Sequence, residues 1–334
     1  MTLPTRSLGT TGMDITVTGF GAWAIGGGDW AYAWGPQDDE ASIAAIRHAL
    51  ERGVNWIDTA AAYGLGHSEE VVASALRDVP AGDRPYVFTK CGLVWDESDR
   101  RAEPRRVGAP DSIKAECEAS LRRLEVDRID LLQIHWPPED GTPVDEAWQA
   151  LVDLRDAGKI RAAGVSNFSV EQLEACEARG HVDSVQPPFS LINRAAAADV
   201  IPWAVEHGTG VIVYSPMQSG LLTGRFTKER AERLGDDDWR SRSGEFNEPN
   251  LSRNLALQDA LRPIADGHGT TPAAVAVAWV LAWDGVTGAI VGARSPEQVD
   301  GWIDAATLEL GDEDLAELRE AVERTGAGHG PPAP

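Results

Sequence analysis

The chain repeats one pattern, in which short apolar, β-branched runs alternate with amphipathic stretches rich in Ala, Glu and Arg. Short apolar runs predict buried strands, and apolar positions at helical spacing predict amphipathic helices. The strands are predicted at 17–23, 54–58, 86–91, 129–136, 160–166, 182–186, 211–215 and 287–292. The helices are predicted at 38–52, 67–78, 111–124, 145–157, 169–179, 197–207, 251–267 and 296–306. Eight such units predict an α/β fold, a (β/α)₈ TIM barrel.

Five segments lie outside these eight units. Residues 3–16 are predicted to form an N-terminal β-hairpin that plugs the bottom of the barrel, and 216–250 is a loop long enough to serve as a lid. Extra C-terminal helices are predicted at 271–283 and 312–324, and the Gly/Pro-rich tail at 326–334 is expected to be frayed. Because no linker divides the chain, residues 1–334 are interpreted as one domain.

A doubly wound sheet that binds a dinucleotide is the alternative fold. Its glycine fingerprint after the first strand would need a third Gly, but Gly19-Phe20-Gly21 is followed by Ala24 at that position. A nucleotide that binds this chain must therefore be held in another way.

Composition narrows the class of partner. The formal net charge is −23 and there are only four Lys, so nucleic acid and anionic membranes are not expected as partners. An anionic cofactor would need a local cluster of Arg and backbone N–H donors. No apolar run approaches the ~20 residues that span a membrane, and the first residues lack a signal-peptide core. Three widely spaced Cys favour reduced thiols, and thus a cytoplasmic protein.

Polar side chains stand at the ends of one predicted strand after another. They are Asp58 with Tyr63 in the following loop, Lys90, His135, Ser166 with Asn167, Gln186, and Tyr214 with Ser215. In a barrel enzyme these strand ends meet on one face, where the chemistry takes place. Each residue alone has an ordinary structural explanation, such as a helix cap or a solvated Lys. Together they form a coherent site.

The chemistry that this set favours is proton donation to a carbonyl oxygen. A Tyr with a pKa near ~10 is a weak acid, and a nearby Lys ammonium is expected to lower that pKa while an Asp holds the Lys. His135 would orient the carbonyl and stabilise developing negative charge. A metal site is not expected, because a second His or Cys at ligand spacing is missing. No Ser lies on a nucleophile elbow.

Over nearly its whole length the sequence resembles the aldo-keto reductase family. The motifs are GVNWIDTA at 53–60 followed by Tyr63-Gly64, SEE at 68–70, TK at 89–90, SLRRL at 120–124, IDLLQIH at 129–135, GKIR at 158–161 and GVSNF at 164–168. The resemblance implies that Asp58, Tyr63, Lys90 and His135 form the family's catalytic tetrad. It also implies an enzyme that reduces small-molecule aldehydes and ketones.

The resemblance further implies NADPH as cofactor, with NADH as a weaker alternative. Ser166, Asn167 and Gln186 would bind the nicotinamide amide, Tyr214 would stack on its ring, and residues 214–225 would hold the pyrophosphate. The segment 292–298 would grip the 2′-phosphate. The full cofactor set is Gly21, Trp23, Asp58, Ser166, Asn167, Gln186, Tyr214, Ser215, Pro216, Met217, Ser219, Gly220, Leu222, Arg225, Gly292, Arg294 and Gln298. The family's Glu-Asn pair is replaced by Gly301-Trp302, so the resemblance does not extend to the adenine contact.

Aromatic residues in the same loops suggest an apolar substrate pocket, although core packing explains a Trp equally well. The predicted substrate residues are Trp23, Tyr63, Trp95, His135 and Trp136, with Trp30 and Trp34 nearby; Asp238-Trp239-Arg240 is the predicted lid. Two other functions are considered. One is a non-catalytic nicotinamide-binding regulatory subunit. The other is an aldolase with Lys90 as nucleophile, which is disfavoured because a Lys beside Asp58 stays protonated. The oligomeric state is left open.

Overall fold

The computed structural model describes residues 2–334. The strands are β1 (Thr5–Ser7), β2 (Asp14–Thr16), β3 (Thr18–Gly21), β4 (Trp56–Asp58), β5 (Tyr86–Cys91), β6 (Leu93–Val94), β7 (Arg105–Arg106), β8 (Ile129–Ile134), β9 (Ile160–Ser166), β10 (Ser184–Gln186), β11 (Gly210–Tyr214) and β12 (Gly288–Gly292). Eight of them close into a barrel in the order β3-β4-β5-β8-β9-β10-β11-β12, with every pair parallel. The TIM-barrel prediction is confirmed, and each predicted strand is present.

Eleven α-helices of the described part of the chain surround the barrel or extend it. They are α1 (Asp39–Glu51), α2 (His67–Leu76), α3 (Pro110–Leu124), α4 (Val144–Asp156), α5 (Val170–Glu177), α6 (Val200–His207), α7 (Lys228–Ala231), α8 (Asn250–Gly267), α9 (Pro272–Leu281), α10 (Pro296–Asp300) and α11 (Asp312–Thr325). The helix predicted at 296–306 is in fact α10 followed by a separate 3₁₀ turn at Ile303–Ala306. Trp302 leaves helical geometry between the two. Within residues 2–334, no helix is long and apolar enough to cross a membrane.

The barrel interior is filled from below by the β1–β2 hairpin, as the sequence predicts. Leu8, Met13 and Ile15 of the hairpin are fully buried against the barrel residues Trp56 and Phe88. Trp56 has a polar edge, and its Nε1–H donates to the carbonyl of Thr16 at 2.7 Å. The lower half of the barrel is thus closed, so that the open end lies where the strands terminate.

Part of the C-terminal tail is held against the loop that follows β10, in contrast to the expectation of a frayed end. The N–H of Arg194 donates to His329 O at 2.9 Å, and the N–H of His329 donates to Ile192 O at 3.0 Å. Ala327 is buried, and its carbonyl accepts from the Arg194 guanidinium. Gly328 permits this approach because a Cβ there would lie 1.7 Å from Ile192 O. Glycine spacing in the tail therefore reflects packing.

Candidate active site

A buried ion pair forms the floor of the open end of the barrel. Lys90 Nζ lies 2.5 Å from Asp58 Oδ1, with both side chains at most 3% exposed. Lys90 Nζ also donates to Thr59 O at 2.9 Å, and Asp58 Oδ2 accepts from Gln186 Nε2 at 2.9 Å. A buried pair of this kind is tolerated only when additional hydrogen bonds satisfy its remaining donors and acceptors, as they do here.

The neighbouring strands explain why these two side chains meet. Asp58 of β4 pairs in register with Phe88 of β5, and Lys90 lies two residues farther along β5. Alternate residues of a strand face the same side, so Phe88 and Lys90 both point into the barrel. The register therefore places Lys90 directly above the level of Asp58, at the open rim.

Tyr63 reaches this floor from the turn that follows β4. The turn packs closely against the loop after β3, where Gly64 has a φ of +63° and a Cβ on it would lie 1.9 Å from Gly26 O. Tyr63 Oη lies 3.5 Å from Lys90 Nζ. The hydroxyl is thus at the outer limit of a hydrogen bond from the ammonium.

The electrostatics of Tyr63 differ from the sequence-based expectation. Burial raises its pKa well above the ordinary value, and the nearby charge of Asp58 raises it further. Burial thus outweighs the lowering that the sequence predicts from Lys90, because the sequence does not reveal how strongly the hydroxyl is desolvated. Tyr63 is protonated at neutral pH. Lys90 itself has a lowered pKa, mainly because of burial and despite the opposing charge of Asp58.

His135 follows β8 and faces the ring of Tyr63 edge-on, with centroids 5.6 Å apart. Burial lowers its pKa well below the ordinary value, and the charges of Lys90 and Arg106 add to this effect. The imidazole is consequently neutral at neutral pH. Its buried Nδ1 has no hydrogen-bond partner among the described residues. The four residues predicted to form the tetrad therefore lie together on one floor.

Asn167, after β9, joins the tetrad to the opposite wall. Its Nδ2 donates to His135 O at 3.0 Å, and its Oδ1 accepts from Tyr214 Oη at 2.8 Å. Asn167 and Ser215 both have left-handed backbones, with φ of +64° and +58°. Non-glycine residues in this region tend to occur where the surrounding structure enforces a functional geometry. Gln186, which is predicted to bind the nicotinamide amide, directs its Nε2 to Asp58 and Gln133.

Two cavities meet at this floor. The first, which we call the long cavity, has a volume of about 320 Å³ and runs from Asp58 and Tyr63 to Gln298 and Trp302. Thirteen of the predicted cofactor residues line it: Gly21, Trp23, Asp58, Tyr214, Ser215, Pro216, Met217, Ser219, Gly220, Arg225, Gly292, Arg294 and Gln298. Leu222 does not, because its side chain is fully buried in the core. Ser166, Asn167 and Gln186 line the other cavity.

The second cavity, which we call the aromatic cavity, has a volume of about 630 Å³. The predicted substrate residues Trp23, Tyr63, His135 and Trp136 line it, whereas Trp95 does not. Sequence reasoning missed the strands β6 and β7, whose pairing of Leu93 with Arg106 brings these two residues into the wall. It also missed Tyr32 and Trp239 as wall residues, although both lie in loops that it had singled out.

The predicted lid is joined to the loop after β3. Trp239 N donates to Ala33 O at 3.1 Å, and its ring stacks on Trp23 with centroids 5.1 Å apart. The buried side chains of Asp238 and Arg240 form an ion pair, and the guanidinium lies over Trp34 at 4.7 Å. The segment Asp238-Trp239-Arg240 thus forms a roof over the place where the two cavities meet.

The far part of the long cavity is suited to anions. Four arginines line the same cavity: Arg225, Arg230, Arg240 and Arg294. This is a local concentration of positive charge in a chain of net charge −23. The Arg cluster that the sequence requires for an anionic cofactor is therefore present.

Comparison with known proteins agrees with this architecture. The model of the aldo/keto reductase family matches residues 18–323. The chain is 36% identical to the aldo-keto reductase YhdN of Bacillus subtilis, over 96% of this chain and 93% of that protein. It is 34% identical to the NADH-specific methylglyoxal reductase of Escherichia coli, over 95% of this chain and 98% of that protein. The solved glycerol dehydrogenase of Gluconobacter oxydans superposes with a TM-score of 0.88 at 38% identity, covering 100% and 99% of the two chains.

The family match covers the barrel together with its tyrosine and buried ion pair, and it identifies the class of the protein as NAD(P)H-dependent oxidoreductases. The chain belongs to the aldo-keto reductase family and is an NAD(P)H-dependent enzyme of that family.

Proposed function

We propose that this aldo-keto reductase reduces aldehydes and ketones with Tyr63 as the proton donor and NADPH as the preferred reductant. The observation that carries the proposal is the position of Tyr63, whose hydroxyl lies 3.5 Å from the buried Lys90 ammonium where the two cavities meet. A carbonyl group in the aromatic cavity can reach this hydroxyl while a cofactor fills the long cavity.

Each residue of the floor has a distinct task in this proposal. Tyr63 is protonated at neutral pH and gives its proton to the carbonyl oxygen as the alcohol forms. Lys90 stabilises the negative charge that then develops on Tyr63, and Asp58 holds Lys90 in place. The neutral His135 directs the carbonyl oxygen toward Tyr63. The aromatic walls and the roof at Trp239 exclude water from the reacting groups.

A nicotinamide cofactor fits the long cavity. When bound, it supplies the hydride. Tyr214 lines the cavity beside Tyr63, where it can pack on a flat ring. Arg225, Arg230 and Arg294 line the same cavity and supply positive charge for a pyrophosphate. Glu297 and Gln298 line the opposite end, together with Gly301 and Trp302.

The preference for NADPH rests on Arg294. Its guanidinium donates to Gln37 Oε1 at 2.5 Å, to Trp34 O at 3.2 Å and to Pro36 O. A guanidinium has five N–H donors, so donors remain for a phosphate. The E. coli relative is NADH-specific, and its specificity makes a direct measurement necessary here.

We predict that Arg294→Ala reduces the NADPH preference by about tenfold to more than a hundredfold, because a charge-assisted hydrogen bond to a phosphate contributes ~1.5–3 kcal/mol. The loss should appear mainly as a higher KM for NADPH, with NADH kinetics little changed. The measurement is kcat/KM for both cofactors with a saturating aldehyde.

Gln37→Ala is the matched control, because it loosens the same loop and leaves the guanidinium intact. An equal loss with both cofactors, or a loss of the same size in Gln37→Ala, would contradict the role of Arg294. Failure of any aldehyde to accelerate the oxidation of either cofactor would overturn the proposed function itself.

A further inference from the structure

The outer wall of the aromatic cavity carries an arginine that the proposed reaction does not use. Arg106 lies on β7, and its guanidinium stacks over the ring of Trp136 at 4.5 Å. It forms an ion pair with Glu139, in which the arginine side chain is 35% exposed and the glutamate 66%. Both residues line the cavity.

This ion pair is not needed to hold the wall together. The N–H of Glu139 already donates to Arg106 O at 3.1 Å, so the backbone joins the two segments. Surface ion pairs of this exposure contribute little to stability. Glu139 therefore balances the charge of Arg106 with a flexible, solvent-facing carboxylate.

The other acidic groups on this rim are bound elsewhere. Asp140 accepts from the backbone N–H groups of Gly108 and Thr142, both at 3.1 Å. Glu103 lies beside the hydroxyl of Tyr32. Glu139 is thus the carboxylate on the rim that a ligand can replace at Arg106.

Resting on the proposed function, we propose that Arg106 binds a carboxylate at the far end of the substrate. The preferred substrates of the enzyme would then be aldehydes and ketones that carry a carboxylate group, above all on an aromatic ring. The planar guanidinium presents a pair of donors that match a carboxylate, and its stacking on Trp136 fixes the plane of those donors. The carboxylate of Glu139 that an incoming carboxylate displaces is 66% exposed, so water can solvate it after it leaves Arg106. The aromatic walls, including Trp30 and Tyr32, accommodate the ring between the carboxylate and the carbonyl.

The test compares each carboxybenzaldehyde, with the acid at ring position 2, 3 or 4, with its neutral methyl ester. The measured quantity is the ratio of kcat/KM for the acid to that for the ester. For the best-placed isomer, Arg106→Met should lower this ratio about tenfold or more, through a higher KM for the acid. Glu139→Gln should raise the ratio severalfold, because it frees Arg106 from its competitor.

Arg101→Met is the matched control, since Arg101 precedes β7, pairs with Asp29 and is 71% exposed. The acid-to-ester ratio of kcat/KM in Arg101→Met should equal that of the wild type. Provided that the esters are still reduced, two results would overturn the inference. One is an acid-to-ester ratio in Arg106→Met equal to that of the wild type, and the other is an equal fall of this ratio in Arg101→Met. An absence of turnover with every ester and acid would overturn the proposed function and the inference with it.

Discussion

Tyr63→Phe is expected to keep the affinity for NADPH and to lose about 10²–10⁴-fold in kcat. The ring still packs against Trp23 and His135, whereas the proton donor is removed. General acid catalysis by a positioned side chain contributes a factor of this size. The measurement is kcat with an aromatic aldehyde, together with the Kd for NADPH from fluorescence titration.

Tyr32→Phe is the control for this variant, because it removes a hydroxyl from the same cavity away from the ion pair on the floor. It should keep a kcat within a few-fold of the wild type. A kcat near the wild-type value in Tyr63→Phe would exclude Tyr63 as the proton donor.

Lys90→Met is expected to be nearly as damaging to kcat, and it should also destabilise the fold. The substitution leaves Asp58 buried and charged without its partner, which typically costs ~3–5 kcal/mol. It also removes the charge that stabilises a negative Tyr63. Two readouts are needed, namely kcat and the free energy of unfolding in urea.

The double variant Lys90→Met/Asp58→Asn separates these two effects. Replacing both charges removes the unpaired carboxylate, so most of the lost stability should return. Activity should not return, because the ammonium beside Tyr63 is still missing. Recovery of kcat together with stability would mean that Lys90 is only structural.

The sequence was sufficient for the barrel and for the positions of the tetrad. Each strand of the barrel has its own apolar run, and the polar residues that follow these runs must meet on one rim. Asp58, Lys90 and His135 were therefore placed correctly from periodicity and strand order. Their catalytic roles remain predictions.

The sequence was not sufficient where distant contacts decide the outcome. The direction of the Tyr63 pKa shift depends on burial by residues from several loops. Strands β6 and β7 have two residues each, which is too few to produce a periodic signal. The sequence therefore predicted Trp95 in the wall of the aromatic cavity, whereas the structure has Arg106 there. The hydrogen bonds of Arg294 join it to a loop more than 250 residues earlier in the chain. Local patterns do not encode any of these contacts.

We propose that the enzyme transfers hydride from the nicotinamide to the carbonyl carbon while Tyr63 protonates the oxygen. The most direct test is a single turnover of benzaldehyde with NADPH deuterated at both C4 positions, followed by mass spectrometry of the alcohol. We expect one deuterium on the carbinol carbon for each cofactor molecule oxidised, and only slow formation of this product in Tyr63→Phe. Oxidation of the cofactor without deuterium in the alcohol would contradict it, as would bound NADPH that never reacts with the aldehyde.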